Sequence, residues 1–310
     1  MKTLPQSRYL RRDGEKGQNM PQNSIPKVTI PYLQAKKEKG ERIVALTAYD
    51  FPTARLVDEA GIDLILVGDS LGMVVLGYEN TIPVTMDEML HHAKAVARAA
   101  QRPLLVGDMP YFSFHQSVDE AVHNASRFLK EAGMHAVKIE GATKKRLKLL
   151  ESLIEAEIPV MGHVGLTPQS IYHLGQFKVR GKGFAEAKKI IKDALSLEKA
   201  GVFAVVLECV PMELAKEMTQ LLRIPTIGIG AGPYCDGQIL VFHDLVGYAN
   251  GYLPKFVKRY ADLHGIISKA LRKYAEDVRG GEFPDDTHSY HMKKREVLEE
   301  ILKKEKTGKK

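Results

Sequence analysis

A chain of 310 residues, 44% of them hydrophobic, can bury a full core, and its length suits one large α/β domain or two small ones. Charged residues at 27% exclude global disorder, and two cysteines, Cys209 and Cys235, form neither a zinc-ligand spacing nor a disulfide framework. The net charge of +7 sits at the ends: residues 1–27 and 293–310 carry +4 each and leave the body at −1, so no basic nucleic-acid-binding surface is expected of the folded part.

The N-terminal stretch has charges but no apolar segment of signal-peptide length, and no apolar run reaches the roughly 18 residues of a membrane span. The scarcity of cysteine fits a reducing compartment. A cytoplasmic protein with no membrane and no nucleic-acid partner is therefore expected. Residues 1–24 are read as a flexible basic tail, 25–291 as a single catalytic domain, and 292–310 as a charged tail.

From about Thr29 the chain alternates short β-branched runs with helix-length amphipathic segments. Strands are predicted at Arg42–Tyr49, Asp63–Asp69, Pro103–Asp108, His135–Glu140, Pro159–His163, Ala204–Cys209 and Thr226–Gly230, with a weak eighth near Lys255–Val257. Helices are predicted at Met86–Ala100, Val118–Ala132, Lys144–Glu155, Ala185–Ala200 and Glu213–Arg223. Several helical patterns stop at Ala-Gly, as at Ala60-Gly61, Ala132-Gly133 and Ala200-Gly201, because glycine accepts the left-handed turn that ends a helix.

Eight such units in about 250 residues is the size of a (β/α)8 TIM barrel. The unbroken apolar strands Leu64-Ile65-Leu66-Val67 and Ala204-Val205-Val206-Leu207 suit a parallel sheet buried on both faces. The competing doubly wound sheet would want a glycine-rich loop after its first strand, where this chain has Ala48-Tyr49-Asp50-Phe51-Pro52. The barrel is the expected fold.

In a barrel the chemistry gathers where strands end at the C-terminal rim. The predicted strands end in Gly68-Asp69-Ser70, Gly107-Asp108-Met109, Lys138-Ile139-Glu140, Gly162-His163-Val164 and Leu207-Glu208-Cys209. One acid at a strand end is ordinarily a turn former or helix cap. Four on one rim would repel one another unless a cation joins them, and carboxylates without a His/Cys cluster point to Mg²⁺. Lys138 and Glu140, two apart, face the same side of their strand. Lys138 is either a Schiff-base nucleophile or a cation for the substrate's anion, and the flanking acids favour the second. His163 is open between ligand, proton relay and inert rim residue.

Those strand ends, together with Gly165-Leu166-Thr167-Pro168-Gln169, Gly228-Ile229-Gly230-Ala231-Gly232 and Cys235-Asp236-Gly237-Gln238-Ile239-Leu240-Val241, resemble the ketopantoate hydroxymethyltransferase family from about Ile25 to His291. The resemblance implies a barrel of the phosphoenolpyruvate/pyruvate-binding type. It implies hydroxymethyl transfer from 5,10-methylenetetrahydrofolate to 3-methyl-2-oxobutanoate on the way to pantothenate, in a large homo-oligomer, a decamer. By matching motif, Asp69, Asp108 and Glu140 are the Mg²⁺ set, Glu140 directly or through water. Asp69, Ser70, Asp108 and Lys138 hold the substrate, Glu208 is the base that forms a Mg-stabilised enolate, and His163 is an auxiliary. Tyr111-Phe112-Ser113-Phe114-His115 departs from the family pattern in bulk, on the folate side of the site.

The alternatives are a related Mg²⁺-dependent 2-oxo acid lyase or mutase on the same barrel, and a non-catalytic barrel with nucleic-acid-binding tails. Against the first stands the lack of the Lys-Cys-Gly-His loop such enzymes carry, and against the second the near-neutral body.

Overall fold

The computed structural model describes residues 26–248, 251 and 253–308, so the predicted tail 1–24 lies outside the described residues. Helix α1 (Ile30–Lys39) precedes strand β1 (Ile43–Thr47), α2 (Phe51–Glu59) and β2 (Leu64–Val67). A single turn α3 (Leu71–Val74) and α4 (Met86–Ala99) lead to β3 (Leu104–Asp108), α5 (Val118–Lys130), β4 (Ala136–Glu140) and α6 (Lys144–Glu155). Then come β5 (Val160–Gly165), the short α7 (Ile171–Leu174), α8 (Phe184–Lys199), β6 (Ala204–Glu208), α9 (Met212–Leu221) and β7 (Thr226–Ile229). Strand β8 (Gly237–Leu240) closes the sheet, followed by α10 (Phe242–Leu245), α11 (Leu263–Gly280) and α12 (Arg295–Thr307).

All neighbouring strands pair in parallel from β1 through β8, and β8 returns to β1 with Ile43 opposite Gly237. The ring is closed, which settles the choice against an open doubly wound sheet. Seven predicted strands and five predicted helices are present with ends shifted by a residue or two. The eighth strand is Gly237–Leu240, not Lys255–Val257. Four residues beginning with glycine give no propensity signal; the open edges of β7 and β1 make them a strand. The charged segment near the C-terminus forms the exposed helix α12.

Alternation along each strand sorts the core into two layers. Leu64, Leu66, Leu104, Val106, Ala136, Met161, Ala204, Val206, Ile227 and Ile239 point into the barrel and pack with Val28 and Leu33, so α1 plugs the N-terminal end. Ile65, Val67, Leu105, Val137, Ile139, Val205 and Leu207 point outward against the helices, where Phe128, Leu150 and Leu197 are fully buried. The helix starts are capped as their sequences suggest: Thr85 and Glu88 form a reciprocal capping box at α4, and the hydroxyls of Ser117 and Thr143 cap α5 and α6. Among the described residues no helix is long and apolar enough to cross a membrane.

Candidate active site

The inward set continues to the C-terminal rim and there changes chemistry. Asp108 lies two residues beyond Val106, Lys138 and Glu140 two and four beyond Ala136, His163 two beyond Met161, and Glu208 two beyond Val206. Register then sets them side by side: Asp108 stands opposite Lys138, and Glu140 opposite His163. Period-two alternation on four neighbouring strands, β3 to β6, thus builds an ionic layer on an apolar floor.

Lys138 is the hub. Its Nζ lies 2.9 Å from Asp108 Oδ2, 3.4 Å from His163 Nδ1 and 3.9 Å from Glu140 Oε1. His163 spans the site, with Nδ1 3.3 Å from Glu140 Oε1 and Nε2 3.2 Å from Glu208 Oε2, the latter without the alignment of a full hydrogen bond. The backbone N–H of Asp69 donates to Asp108 Oδ2 at 3.3 Å, which brings the two aspartates together. Ser70 Oγ shares a 2.8 Å hydrogen bond with the hydroxyl of buried Tyr49. All the residues singled out from the sequence meet on this rim. Asp69, Asp108, Lys138, Glu140 and His163 are buried, Ser70 is half-buried, and the Glu208 side chain keeps 18% of its surface open.

Gln169 was visible in the sequence only as part of a motif. It sits in a short turn after β5, is buried, and donates from Nε2 to Asp69 Oδ2 and to the Met109 carbonyl, each at 2.9 Å. Its backbone N–H donates to Glu140 Oε2 at 3.1 Å. One residue thereby fixes two of the rim acids, one of them 100 positions away in sequence. Nothing local announces such a contact.

At β6 the backbone turns sharply after Glu208. Cys209 adopts a left-handed φ of 48°, and Gly165 on β5 has φ 100°. A side chain at Gly165 would run into the Glu208 carbonyl, which accepts the Leu166 N–H at 2.9 Å. This close approach holds the end of β6, and Glu208 with it.

Charge explains the titration of the layer. Burial, then the charges of Asp108 and Glu140, hold Asp69 well above the usual carboxylate range. Burial also raises Asp108; Lys138 opposes the shift and Glu140 adds to it. Burial works against the Lys138 ammonium, but Asp108, Glu140 and Asp69 outweigh it and raise its pKa. For Glu140, burial is overcome by the hydrogen bond and charge of His163 and by Lys138, so its pKa falls. Burial and Lys138 disfavour imidazolium at His163, yet Glu140 and Glu208 raise it to about 9. Asp108 Oδ1 is buried with no hydrogen-bond partner. A bound cation would relieve both aspartates and give the Asp108 oxygen a partner. Among the described residues no group of three or more His, Cys, Asp or Glu is arranged to hold a metal ion; Asp69 and Asp108, brought together by the Asp69 N–H, are the carboxylates with an oxygen left over for one.

Comparison with known proteins agrees with this architecture. The model of the ketopantoate hydroxymethyltransferase family matches residues 27–286. A 3-methyl-2-oxobutanoate hydroxymethyltransferase of Moorella thermoacetica is 57% identical over 264 residues, 85% of this chain and 98% of its own. The protein of that name from Syntrophomonas wolfei is 53% identical over 277 residues, 89% of this chain and all of its own. Among solved structures, 2,3-dimethylmalate lyase, a PEP mutase/isocitrate lyase superfamily member, superimposes with a TM-score of 0.54 at 15% identity, covering 90% of this chain and 96% of that one. That likeness concerns the fold alone. The sequence matches concern the chemistry as well: this chain belongs to the ketopantoate hydroxymethyltransferase family and is a hydroxymethyltransferase.

Proposed function

We propose that the protein transfers a hydroxymethyl group from 5,10-methylenetetrahydrofolate to 3-methyl-2-oxobutanoate, giving 2-dehydropantoate, with Mg²⁺ at Asp69 and Asp108 and with Glu208 as base. The observation that carries this reading is the division of the rim. A cation-deficient aspartate pair and Lys138 lie on one side, the partly open Glu208 on the other, and His163 spans them. The names of the close relatives supply the 2-oxo acid.

Mg²⁺ when bound supplies Lewis acidity, which makes the C3–H of a 2-oxo acid more acidic. Asp69 and Asp108 would hold it. Both oxygens of Glu140 are already engaged, by His163 and by the Gln169 N–H, so Glu140 would act through water. The remaining steps belong to the chain's own groups. Lys138, fixed by Asp108, and Ser70, oriented by Tyr49, anchor the substrate's anionic end. Glu208 accepts the C3 proton at its carboxylate oxygen. His163, with Nε2 3.2 Å from Glu208 Oε2, steadies the negative charge that moves through the layer. The carbon left by that proton bonds to the donor's methylene carbon as one of its C–N bonds breaks, and water supplies the hydroxyl oxygen as the other breaks. The two folate nitrogens take up the C3 proton from Glu208 and one proton from water, leaving tetrahydrofolate.

The direct test is turnover of 3-methyl-2-oxobutanoate with methylenetetrahydrofolate, with and without Mg²⁺. Product formation that disappears with a chelator and returns with Mg²⁺ is expected. Equal rates in chelator would end the metal assignment, and no product under any condition would end the substrate assignment.

A further inference from the structure

The strands that carry Asp108 and Glu140 run directly into a second feature. Beyond Asp108 the chain passes through Phe114 and His115; beyond Glu140 it enters α6 with Lys145 and Arg146. Between these segments lies a cavity of about 220 Å³, with Phe114, Val118 and Leu149 as apolar walls and His115, Lys145 and Arg146 as its polar side. The first turn of α6 holds Lys144, Lys145 and Arg146 and no acid, against the helix dipole. Among the described residues no carboxylate comes within ion-pair distance of any of the three.

Arg146 is half-buried over the Phe114 ring, its guanidinium carbon 4.0 Å from the centroid. Its Nη1 donates to the Phe114 carbonyl at 3.4 Å and its Nη2 donates to His115 Nε2 at 3.1 Å, but its Nε is buried with no acceptor. Burial, with the charges of Arg146 and Lys145, pushes His115 down to about 4, so the ring is neutral at physiological pH. A neutral imidazole that accepts at Nε2 carries its proton on Nδ1, and Nδ1 is also buried without a partner. Two donors with no acceptor and two cations with no anion line one cavity. A half-buried guanidinium whose Nε has no acceptor suits a carboxylate or phosphate.

We propose that this cavity binds the aromatic, carboxylate-bearing half of the one-carbon donor, with Phe114 and Leu149 against its ring and Arg146 and Lys145 on its carboxylates. This inference rests on the donor named under Proposed function. The position fits, because the cavity is walled by the two segments that leave the rim directly after Asp108 and Glu140. It also gives a use to the bulk of Tyr111–His115, which sequence alone left as a departure from the family pattern.

The probe is p-aminobenzoyl-glutamate, titrated by calorimetry into the full-length protein, with inorganic phosphate as a second ligand. Wild type should bind the probe, and Arg146→Met should weaken it by about tenfold, the scale of one charge-assisted contact. Lys145→Gln should weaken it less. That side chain is exposed, so it keeps the test valid if Arg146→Met fails to fold. Unchanged affinity in Lys145→Gln and in a folded Arg146→Met overturns the proposal. So does phosphate binding that depends on Arg146 while the probe does not bind, since the cavity would then serve a free anion. No turnover is needed for these titrations, so failure of the functional reading, seen as no product from wild type, is read separately.

Discussion

Two sets of buried or half-buried carboxylates occupy opposite ends of the same barrel. At the N-terminal end Asp63 accepts from Lys36 at 2.7 Å, from Arg102 at 3.0 Å and from the Val44 N–H at 3.0 Å. Asp236 accepts from Lys37 at 2.8 Å and from the N–H and hydroxyl of Thr226 at 2.8 and 3.0 Å. Both fasten α1 across the floor, and each has its charge answered. At the C-terminal end Asp69 and Asp108 are pushed above their ordinary range, and Asp108 Oδ1 has no partner at all. A buried acid whose partners are complete serves stability; one whose partners are incomplete is a candidate ligand site.

The comparison breaks first at Asp108. Asp108→Ala removes one of the two proposed Mg²⁺ ligands and the closest anion to Lys138. Losing several kcal/mol of Lewis-acid assistance should slow turnover at least about 10³-fold. The apolar floor is untouched, so circular dichroism and the melting transition should still report a folded barrel. A variant that turns over normally in chelator would place the chemistry elsewhere.

Glu208 sharpens the division within the rim. Glu208→Gln keeps the shape but cannot accept a proton, so exchange of the substrate's C3 hydrogen with deuterated water should fall about 10²–10⁴-fold. NMR follows that exchange without any folate, while binding of the oxo acid persists. Exchange at the wild-type rate would move the base to another group, with His163 next in line.

Gln169 should give a smaller effect of a different kind. Gln169→Leu leaves every proposed ligand present but frees the Asp69 carboxylate. Loss of such an outer hydrogen bond typically costs about 10- to 100-fold in metal affinity. A Mg²⁺ titration should show that loss, with much of the rate recovered at saturating metal. A fall in rate that extra Mg²⁺ does not relieve would mean that Gln169 serves something other than the aspartate.

How much of this was readable from the sequence follows from the same physics. Asp108, Lys138, Glu140, His163 and Glu208 announce themselves because period-two strands carry a residue's facing in its position, and glycine or proline marks where each strand stops. The eighth strand did not, since the segment Gly237–Leu240 is defined by the two edges it joins. Gln169 did not, because its value lies in reaching Asp69. The floor of the barrel was equally silent: Lys37 meets Asp236 across 199 positions, and an exposed-looking lysine-rich helix gives no hint of a plug. Patterns local to one element survive in sequence; partnerships between distant elements do not.

The smallest effect on chemistry should come from the N-terminal end, where the comparison meets its strictest test. Asp63→Ala leaves Lys36 and Arg102 without their shared anion and the Val44 N–H without its side-chain acceptor. Breaking a buried ion pair costs about 3–5 kcal/mol. The lower end applies here, because Lys36 and Arg102 keep 14–15% of their side chains exposed and can turn toward water. The layer formed by Leu64, Leu66, Leu104 and Val106 separates this network from the rim, so the two ends share no partner. Turnover per folded molecule should then stay within about twofold, as expected of sites with no common contact. Denaturant unfolding read beside activity in the same samples decides it. Should Asp63→Ala lose activity on the scale of Asp108→Ala while remaining folded, the two ends would be coupled through the barrel, and the reading of complete against incomplete partners would fail.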